Sequence, residues 1–510
     1  MITSEYFLAQ LSGVVDTSNL GQLIQINAVT ADSRQVVPGS VFVAQKGHKD
    51  AGSKFIADAV ARGASLLIIS ADIPLAGLQL PTVRVGNTRL ALAEISRMFS
   101  PAGLPDLIGV TGTNGKTSCS WIIAHALAEI HGVSAYSGTL GTALVRRGEQ
   151  VTLADSGNTT PCITVTRKFL GSVFQSGGRV AACEVSSHGI DQYRAYGLPW
   201  KVGILTNITR DHLDYHGTFA NYRDTKLLYF QRELQQTGAG IVLPAGDAVA
   251  QPLSVQLVKS DSLRDNLWFF GHRRDFSKQL KGHCLMINSV RNDNDGMQLN
   301  LEVEGKTISL ISKLRGDYNA LNIAASLAGL LASAIDLPEA LHAVSTSPPV
   351  PGRLEHLLGP GFSVYIDYAH TPDALLRAQQ SVREITSGRL ITVFGCGGNR
   401  DRGKRPLMGD VVSRNSDIFF VTSDNPRDEK PDDIIEDIIA GITTNQAKKY
   451  VIADRGRAIA EAISVAQAGD AVLIAGKGHE DYQEIAGEKY HFADREVALS
   501  CIQALTGNVG

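Results

Sequence analysis

The sequence is poor in the features that would mark a secreted, membrane-spanning or metal-caged protein. Its six cysteines, at 119, 162, 183, 284, 396 and 501, are scattered and never form C-x-x-C. Neither a disulfide framework nor a zinc cage is expected, and reduced cytoplasmic thiols fit best. No apolar run approaches the roughly 18–20 residues that span a bilayer. No Lys or Arg precedes Arg34, and Glu5 and Asp16 interrupt the start, so a secretory signal is not expected. A net charge of −3 over 510 residues offers no broad basic field for nucleic acid.

What is present is a chain that is 44% hydrophobic and 19% charged, with 50 glycines, long enough for several buried cores. Three sections emerge. Residues 1–100 carry short apolar runs, "SVFVA" and "SLLIIS", around the polar segment "KGHKDAGSKFI". "SPAGLPD" at 100–106 reads as a linker, because Pro and Gly interrupt both helix and strand. Residues 101–347 open with the strand "LIGVT", a glycine loop and the helix "KTSCSWIIAHALAEI". The buried runs "RVAACEV" and "KVGILTNI" follow and imply a parallel sheet covered on both faces. "MQLNLEVEGKTISLISKL" alternates with period two around Glu-Gly and predicts a small antiparallel hairpin. "TSPPVPGR" marks a second boundary, and residues 348–510 repeat strand, polar loop and helix. The fold class expected is α/β in three domains: a small N-terminal α/β domain, a central P-loop-type parallel-sheet domain with the hairpin, and a C-terminal Rossmann-like doubly wound domain.

The chemistry centres on "GVTGTNGKTS", residues 109–118. The usual phosphate loop is G-x-x-x-x-G-K-[ST]. Gly115, Lys116 and Thr117 supply its end, but the required first glycine falls on Val110, with glycines at 109 and 112 instead. The context of strand before and helix after is right. Backbone N–H groups at a helix N-terminus attract phosphate, Lys116 adds charge, and Thr117 offers Mg²⁺ a hydroxyl. Glu184 ends a buried strand, where an acid commonly holds Mg²⁺. His212 and His216 are four apart, a zinc spacing on a helix, but no third ligand is evident. Lys226, taken alone, reads as a solvated surface lysine.

Together "GTNGKTS", "EVSSHG", "NITRDHLDYHG", "DYNALN", "PGRLE" and "DYAHTPDAL" resemble the Mur ligases of bacterial cell-wall synthesis, in order and across all three sections. The resemblance implies an ATP-dependent amide-forming ligase. The γ-phosphate would activate a substrate carboxylate as an acyl phosphate, which an amine then attacks. It implies an ATP site of Gly112, Thr113, Asn114, Gly115, Lys116, Thr117, Ser118, Asn319, Arg353 and Asp367. It places Mg²⁺ at Thr117, Glu184, His212 and Lys226, the last as a carbamate made from carbon dioxide. Lys116, Glu184, His212, Lys226, Arg353 and Asp367 would form the catalytic set. UDP-MurNAc-L-Ala-D-Glu would meet Ser33, His48, Lys49 and Asp50 in the first domain, and Asn158, Thr159, Thr160, Ser186, Gln192 and Arg194 in the second. The residues after His48 depart from the family pattern.

"TSDNPRDEKP" resembles the signature of the diaminopimelate-adding members, with Asp424, Asn425, Pro426 and Arg427; lysine-adding relatives lack that Arg. Meso-diaminopimelate has a carboxylate where lysine has hydrogen, and an Arg fork suits it. Arg400, Gly476 and Glu480 match the rest of that site. "GCGGNR" fails a dinucleotide fingerprint because Arg stands where the last Gly is needed. Three alternatives stay open: the lysine-adding ligase, a folylpolyglutamate synthetase-type ligase, and a P-loop switch without ligation. A monomer in the cytoplasm is expected.

Overall fold

The computed structural model describes residues 2–45, 52–74, 79–149, 151–234, 238–247, 253, 266–277, 280–293, 296–443 and 447–507. The chain divides into two compact units. One gathers Met1–Thr111, Leu127–Gly203 and Thr225–Ala239; the other gathers Gly112–Ala126, Ile204–Asp224 and Gly240–Gly510.

The first unit begins with a five-stranded sheet in the order Val14–Ser18, Thr82–Val85, Ala64–Ser70, Ser40–Val43, Ala28–Thr30. Only Val14–Ser18 runs antiparallel to its neighbour. The runs read as buried strands are buried: Val41, Phe42, Val43 and Leu66 to Ile69 are at most 1% exposed. Parallel strands covered on both faces need such continuous apolar sequence. Helix Thr88–Ser96 starts where the Asn87 side chain accepts from the N–H groups of Arg89 and Leu90. Its last residue meets helix Ile163–Gln175 through Arg167, which donates to Ser96 Oγ, Ser100 Oγ and the Gly197 carbonyl. Burial, with Arg97 nearby, lowers the Arg167 pKa to about 10, so it stays charged.

The same unit holds the strands Gly141–Arg146, Val133–Gly138, Val180–Glu184 and Asp106–Thr111, adjacent in that order. Gly109 lies within the last of these. A Cβ there would overlap the Tyr229 hydroxyl and the Trp200 ring, so packing rather than phosphate explains this glycine.

In the second unit, Gly240–Pro244, Leu267–His272 and His283–Asp293 pair in parallel. Gly296–Val303 and Lys306–Ser312 continue antiparallel, turning at Glu304 and Gly305, both at positive φ. The expected antiparallel hairpin is present, and it continues the sheet from strand His283–Asp293. Helix Asp317–Ala332 packs on these strands.

The last section of this unit is a six-stranded sheet in the order Glu355–Leu358, Ser363–Asp367, Ala471–Ala475, Leu390–Phe394, Ile418–Val421, Lys448–Val451. All pairs but the first are parallel. Helices Pro372–Glu384, Lys404–Asn415 and Pro431–Ile439 bury Leu375, Met408 and Ile434 against one face. Helices Arg455–Ser464 and Asp494–Gly507 bury Ile459 and Ala498 against the other. This is the doubly wound arrangement expected, and it gathers the loops after Asp367, Phe394, Val421 and Ala475 at the carboxyl ends of parallel strands, where such sheets bind ligands. All six cysteines are free. Among the described residues no helix is long and apolar enough to cross a membrane.

One ion pair fastens that edge. Arg455 and Asp494 are both fully buried and form two 2.7 Å bonds, and Arg455 also donates to the Ala475 carbonyl at 3.0 Å. Removing one partner of such a pair strands a buried charge, at about 3–5 kcal/mol. Asp494→Ala should therefore lower the thermal midpoint on the order of 10 °C, and a melt within 2 °C or so of wild type would contradict this.

Candidate active site

The phosphate loop belongs to the second unit. Gly112 and Gly115 have φ of 145° and 87°, and a Cβ on either would overlap Thr206 Oγ1 or Asn322 Oδ1 respectively. Gly112 is therefore the functional first glycine of this loop. Thr206 and Asn207 hold it from the side: Thr113 N–H donates to the Asn207 carbonyl at 2.9 Å, Asn114 N–H to Asn207 Oδ1 at 3.0 Å, and Thr206 Oγ1 to the Asn114 carbonyl at 2.6 Å. Lys116 Nζ folds back onto the carbonyls of Gly112 and Thr113 at 2.9 and 2.8 Å. The ammonium is thus held over the loop rather than left in solvent.

Thr113 links this loop to His212. Its hydroxyl donates to the Thr209 carbonyl and lies 2.9 Å from the Tyr222 hydroxyl. The rings of His212 and His216 both rest near Tyr222, at 6.1 and 5.4 Å between centroids. His212 precedes the short helix Leu213–His216 at φ 52°, so the two histidines do not share a helical face and the zinc spacing is accidental. Burial works against ionisation of Asp211, but His212, His370 and Lys116 hold its pKa below the ordinary carboxylate value. His370 itself is pushed down to about 4 by burial and by Lys404, and is neutral at pH 7.

Arg353 comes from the "PGR" turn of the last section. Its Nη2 donates to Thr117 Oγ1 at 3.0 Å and its guanidinium lies 4.6 Å from the Tyr368 ring centroid. Its Nε is buried and has no hydrogen-bond partner among the described residues. An unsatisfied cationic donor beside a phosphate loop suits an anionic ligand. The next residue, Leu354, has φ 46°, and Asp367 holds it there: Oδ2 accepts the Leu354 N–H at 2.7 Å and Oδ1 the Ala369 N–H at 2.8 Å. Burial raises the Asp367 pKa, opposed by Arg353 and these N–H groups. Asp367 therefore spends its carboxylate on the backbone that carries Arg353. Asn319 is 1% exposed and is likewise occupied, donating to the Arg315 carbonyl and accepting from Asn322. The asparagine at the loop itself is Asn322. A further contact, Asn114 Nδ2 to Asp373 Oδ2 at 3.2 Å, was not foreseen from sequence.

The first unit assembles a second cluster. Glu184 is 1% exposed, and its Oε1 accepts from Tyr136 at 2.6 Å and from the Thr139 N–H at 2.9 Å. Its Oε2 accepts from Thr139 Oγ1 at 3.0 Å. Around it stand residues expected together: Thr159 lies 3.1 Å from Thr139, Thr160 donates to the Glu184 carbonyl, Ser186 Oγ lies 3.0 Å from Thr160 Oγ1, and Arg194 binds the Thr160 carbonyl and Gln192. Asn158 is exposed beside them. Ser33 is buried in a short turn and helps hold the Asp58 carboxyl below its usual range. His48, Lys49 and Asp50 lie outside the described residues. Lys226 is 1% exposed, which corrects the solvated-surface expectation. It sits near the end of helix Phe219–Leu228, on the side that is covered.

The edge of the last sheet carries the third cluster, in the second unit. Arg400 is exposed. Arg427 has φ 53°, with Nε on Glu484 Oε2 at 3.1 Å and Nη1 on the Gly398 carbonyl at 2.9 Å. Glu480 is already engaged by Lys477 at 3.0 Å and Asn425 at 2.9 Å. Burial raises its pKa, with Lys477 opposing and Asp424 adding to the shift. Lys477, fully buried, was visible in "GKGHE" but carried no sequence signal. Gly476, at φ 120°, leaves room for the Asp424 carboxylate. Arg405, also fully buried, binds Glu429, Asp437 and the Gly397 carbonyl, and so ties the Arg400 and Arg427 loops to one helix.

The described residues contain no group of three or more His, Cys, Asp or Glu placed to hold a metal ion. Glu184 Oε2 and Thr117 Oγ1 each accept one hydrogen bond and keep acceptor capacity, and such hard oxygens suit Mg²⁺ better than imidazole does.

Three family models match the chain: "Mur ligase family, catalytic domain" over residues 25–100, "Mur ligase middle domain" over 110–330 and "Mur ligase, glutamate ligase domain" over 352–478. The chain is 37% identical over 478 residues to the UDP-N-acetylmuramoyl-L-alanyl-D-glutamate–2,6-diaminopimelate ligase of Aquifex aeolicus, covering 93% of each. It is 37% identical over 485 residues to the protein of the same name from Geobacillus kaustophilus, covering 94% of this chain and 95% of that one. A solved structure with that name superposes with a TM-score of 0.65 at 30% identity, over 94% of this chain and 95% of that one. The site and fold define an ATP-dependent amide-forming ligase. The chain belongs to the Mur ligase family.

The loop geometry makes one direct prediction. Gly115→Ala places a methyl against Asn322 at a φ that disfavours L side chains, so ATP affinity measured by calorimetry should fall at least about ten-fold. Wild-type affinity would show that the loop does not hold the phosphates.

Proposed function

We propose that this ligase joins meso-2,6-diaminopimelate to the D-glutamyl carboxylate of UDP-MurNAc-L-Ala-D-Glu, giving the UDP-MurNAc-tripeptide, ADP and phosphate for peptidoglycan synthesis. One observation carries the reading: a single compact unit contains both a cationic phosphate loop and loops mixing Arg427 and Arg400 with Asp424 and Glu480. That mixture suits an amino acid with a second carboxylate and a second amine. Relatives that bear this ligase name, matched over nearly their whole length, support the substrate pair.

The chemistry follows from the leaving group. A carboxylate would have to expel oxide to form an amide. One of its oxygens instead attacks the γ-phosphorus of ATP and ADP departs. The amine then attacks the acyl carbon, loses a proton, and phosphate leaves. Lys116 and Arg353 would balance charge on the phosphates in flight, and Thr113 and Asn114, whose N–H groups are held by Asn207, would keep the loop in shape around them. Asp367 would act through Arg353, and Asn319 through Asn322. Glu184 would be aimed by Tyr136 and Thr139. Thr159, Thr160, Ser186 and Arg194 would orient the peptide end of the nucleotide substrate, with Asn158 and Gln192 beside them, and Ser33 with residues 48–50 would meet the uridine diphosphate.

Mg²⁺, where bound, neutralises phosphate charge; Thr117, Glu184, His212 and Lys226 are the residues proposed to hold it. Lys226 is buried. As a neutral amine it adds to carbon dioxide and loses a proton, becoming an anionic carbamate. The division 1–100, 101–347 and 348–510 is proposed for the nucleotide-sugar, ATP and amino-acid domains, in a cytoplasmic monomer.

Phosphate release with ATP, Mg²⁺ and the dipeptide substrate should require diaminopimelate, with L-lysine giving under roughly 1% of the rate. Preference for lysine would overturn the substrate, and release without any amine would overturn the ligase. In the same assay Lys226→Ala should lose at least about 100-fold and regain part with formate. Full activity in that variant would refute the carbamate.

A further inference from the structure

Strand Tyr482–Ile485 and its partner Glu488–His491 form a hairpin that turns at Ala486 and Gly487, both at positive φ. The hairpin lies along the "DNPR" loop and is bound to it residue by residue. Gln483 Nε2 donates to the Asp424 carbonyl at 2.6 Å. Glu484 N–H donates to Asn425 Oδ1 at 3.0 Å. Arg427 N–H donates to the Glu484 carbonyl at 3.0 Å, and Ala486 N–H to the Arg427 carbonyl at 2.7 Å. Residue 484 is thus held through its N–H and its C=O, and its carboxylate then takes Arg427 Nε at 3.1 Å.

The consequence lies in what remains of the guanidinium. Glu484 occupies Nε and the Gly398 carbonyl occupies Nη1, while Nη2 has no hydrogen-bond partner among the described residues. The Arg427 side chain is 18% exposed and that of Glu484 27%, so the pair is largely removed from solvent but still reachable. An unanchored arginine samples many rotamers, and each bound carboxylate must then bear the cost of ordering it. Here two anchors order it in advance, and the end of the fork is left to bind. The left-handed backbone at Arg427 needs the same hairpin contacts to persist.

We propose that Glu484 is a positioning residue for amino-acid selection: it holds Arg427 so that the open end of the guanidinium meets the carboxylate that distinguishes diaminopimelate from lysine. This rests on the substrate reading above. Glu484 has two opposed effects, since its own charge also dilutes the attraction of Arg427 for a second anion. Orientation and charge therefore predict opposite signs. If positioning dominates, Glu484→Ala weakens diaminopimelate binding; if charge competition dominates, it strengthens it.

The experiment is steady-state kinetics on the full-length enzyme, varying diaminopimelate at saturating ATP and dipeptide substrate. Glu484→Ala should raise the KM for diaminopimelate roughly three- to ten-fold, the scale of ordering one long side chain, with kcat and the KM for ATP within about two-fold of wild type. Glu484→Gln keeps an acceptor for Nε–H and should recover most of the loss. The double variant Arg427→Ala/Glu484→Ala should match Arg427→Ala alone within about two-fold, because the two residues act as one unit. A lowered KM in Glu484→Ala, an unchanged one, a parallel rise for all three substrates, or additive effects in the double variant would each overturn the assignment. No product from wild type with diaminopimelate would overturn the substrate reading, and this inference with it.

Discussion

Two cations set close to a phosphate loop must be kept in place before any phosphate arrives, and much of the second unit is organised by that constraint. Lys116 rests on the carbonyls of its own loop, and Arg353 rests on Thr117. Arg353 reaches the loop through the neutral Thr117 hydroxyl, and its Nε has no hydrogen-bond partner among the described residues. Asp367 lies close enough to feel Arg353, yet it directs its oxygens to the N–H groups of Leu354 and Ala369. The acid that would otherwise quench the arginine instead fixes the turn that presents it. The unsatisfied Nε of Arg353 is the residue of that arrangement.

The same economy recurs at the other clusters. Glu184 receives three hydrogen bonds from neutral donors, which orient a carboxylate without neutralising it. Arg427 is the contrasting case, because there an acid does pair with the functional cation. Its pairing uses only Nε, so the cation is ordered and still open at its far end. Deep burial of Arg455, Arg405 and Lys477 supports these loops from beneath, each with acids that match it. These are structural charges, and the distinction between them and the open ones is visible only in three dimensions.

Much of the architecture was legible in the sequence because parallel strands buried on two faces must be continuous and apolar, as "SLLIIS" and "RLITVF" are. The phosphate loop was legible because glycine at 112 and 115 is demanded by local backbone conformation. What the sequence could not convey was anything set by distant partners. Gly109 and Gly112 were indistinguishable until one proved to lie in a strand beneath Trp200 and Tyr229. Lys226 stands among Arg223, Asp224 and Thr225, and nothing local tells that it alone is covered. Tyr136 and Thr139 lie some 45 residues from the glutamate they orient, and Glu484 is 57 from its arginine. The histidine spacing, set aside in the sequence for want of a third ligand, has His212 in a left-handed conformation just outside the helix.

The central claim is that the phosphate held by this loop is delivered to a carboxylate rather than to water. It is tested by placing ¹⁸O in the D-glutamyl carboxylate of the dipeptide substrate and following the label through one turnover by mass spectrometry. Acyl-phosphate formation requires that one labelled oxygen leave with the phosphate. Phosphate carrying oxygen from solvent alone, with both labels still in unreacted carboxylate, would mean that ATP is merely hydrolysed.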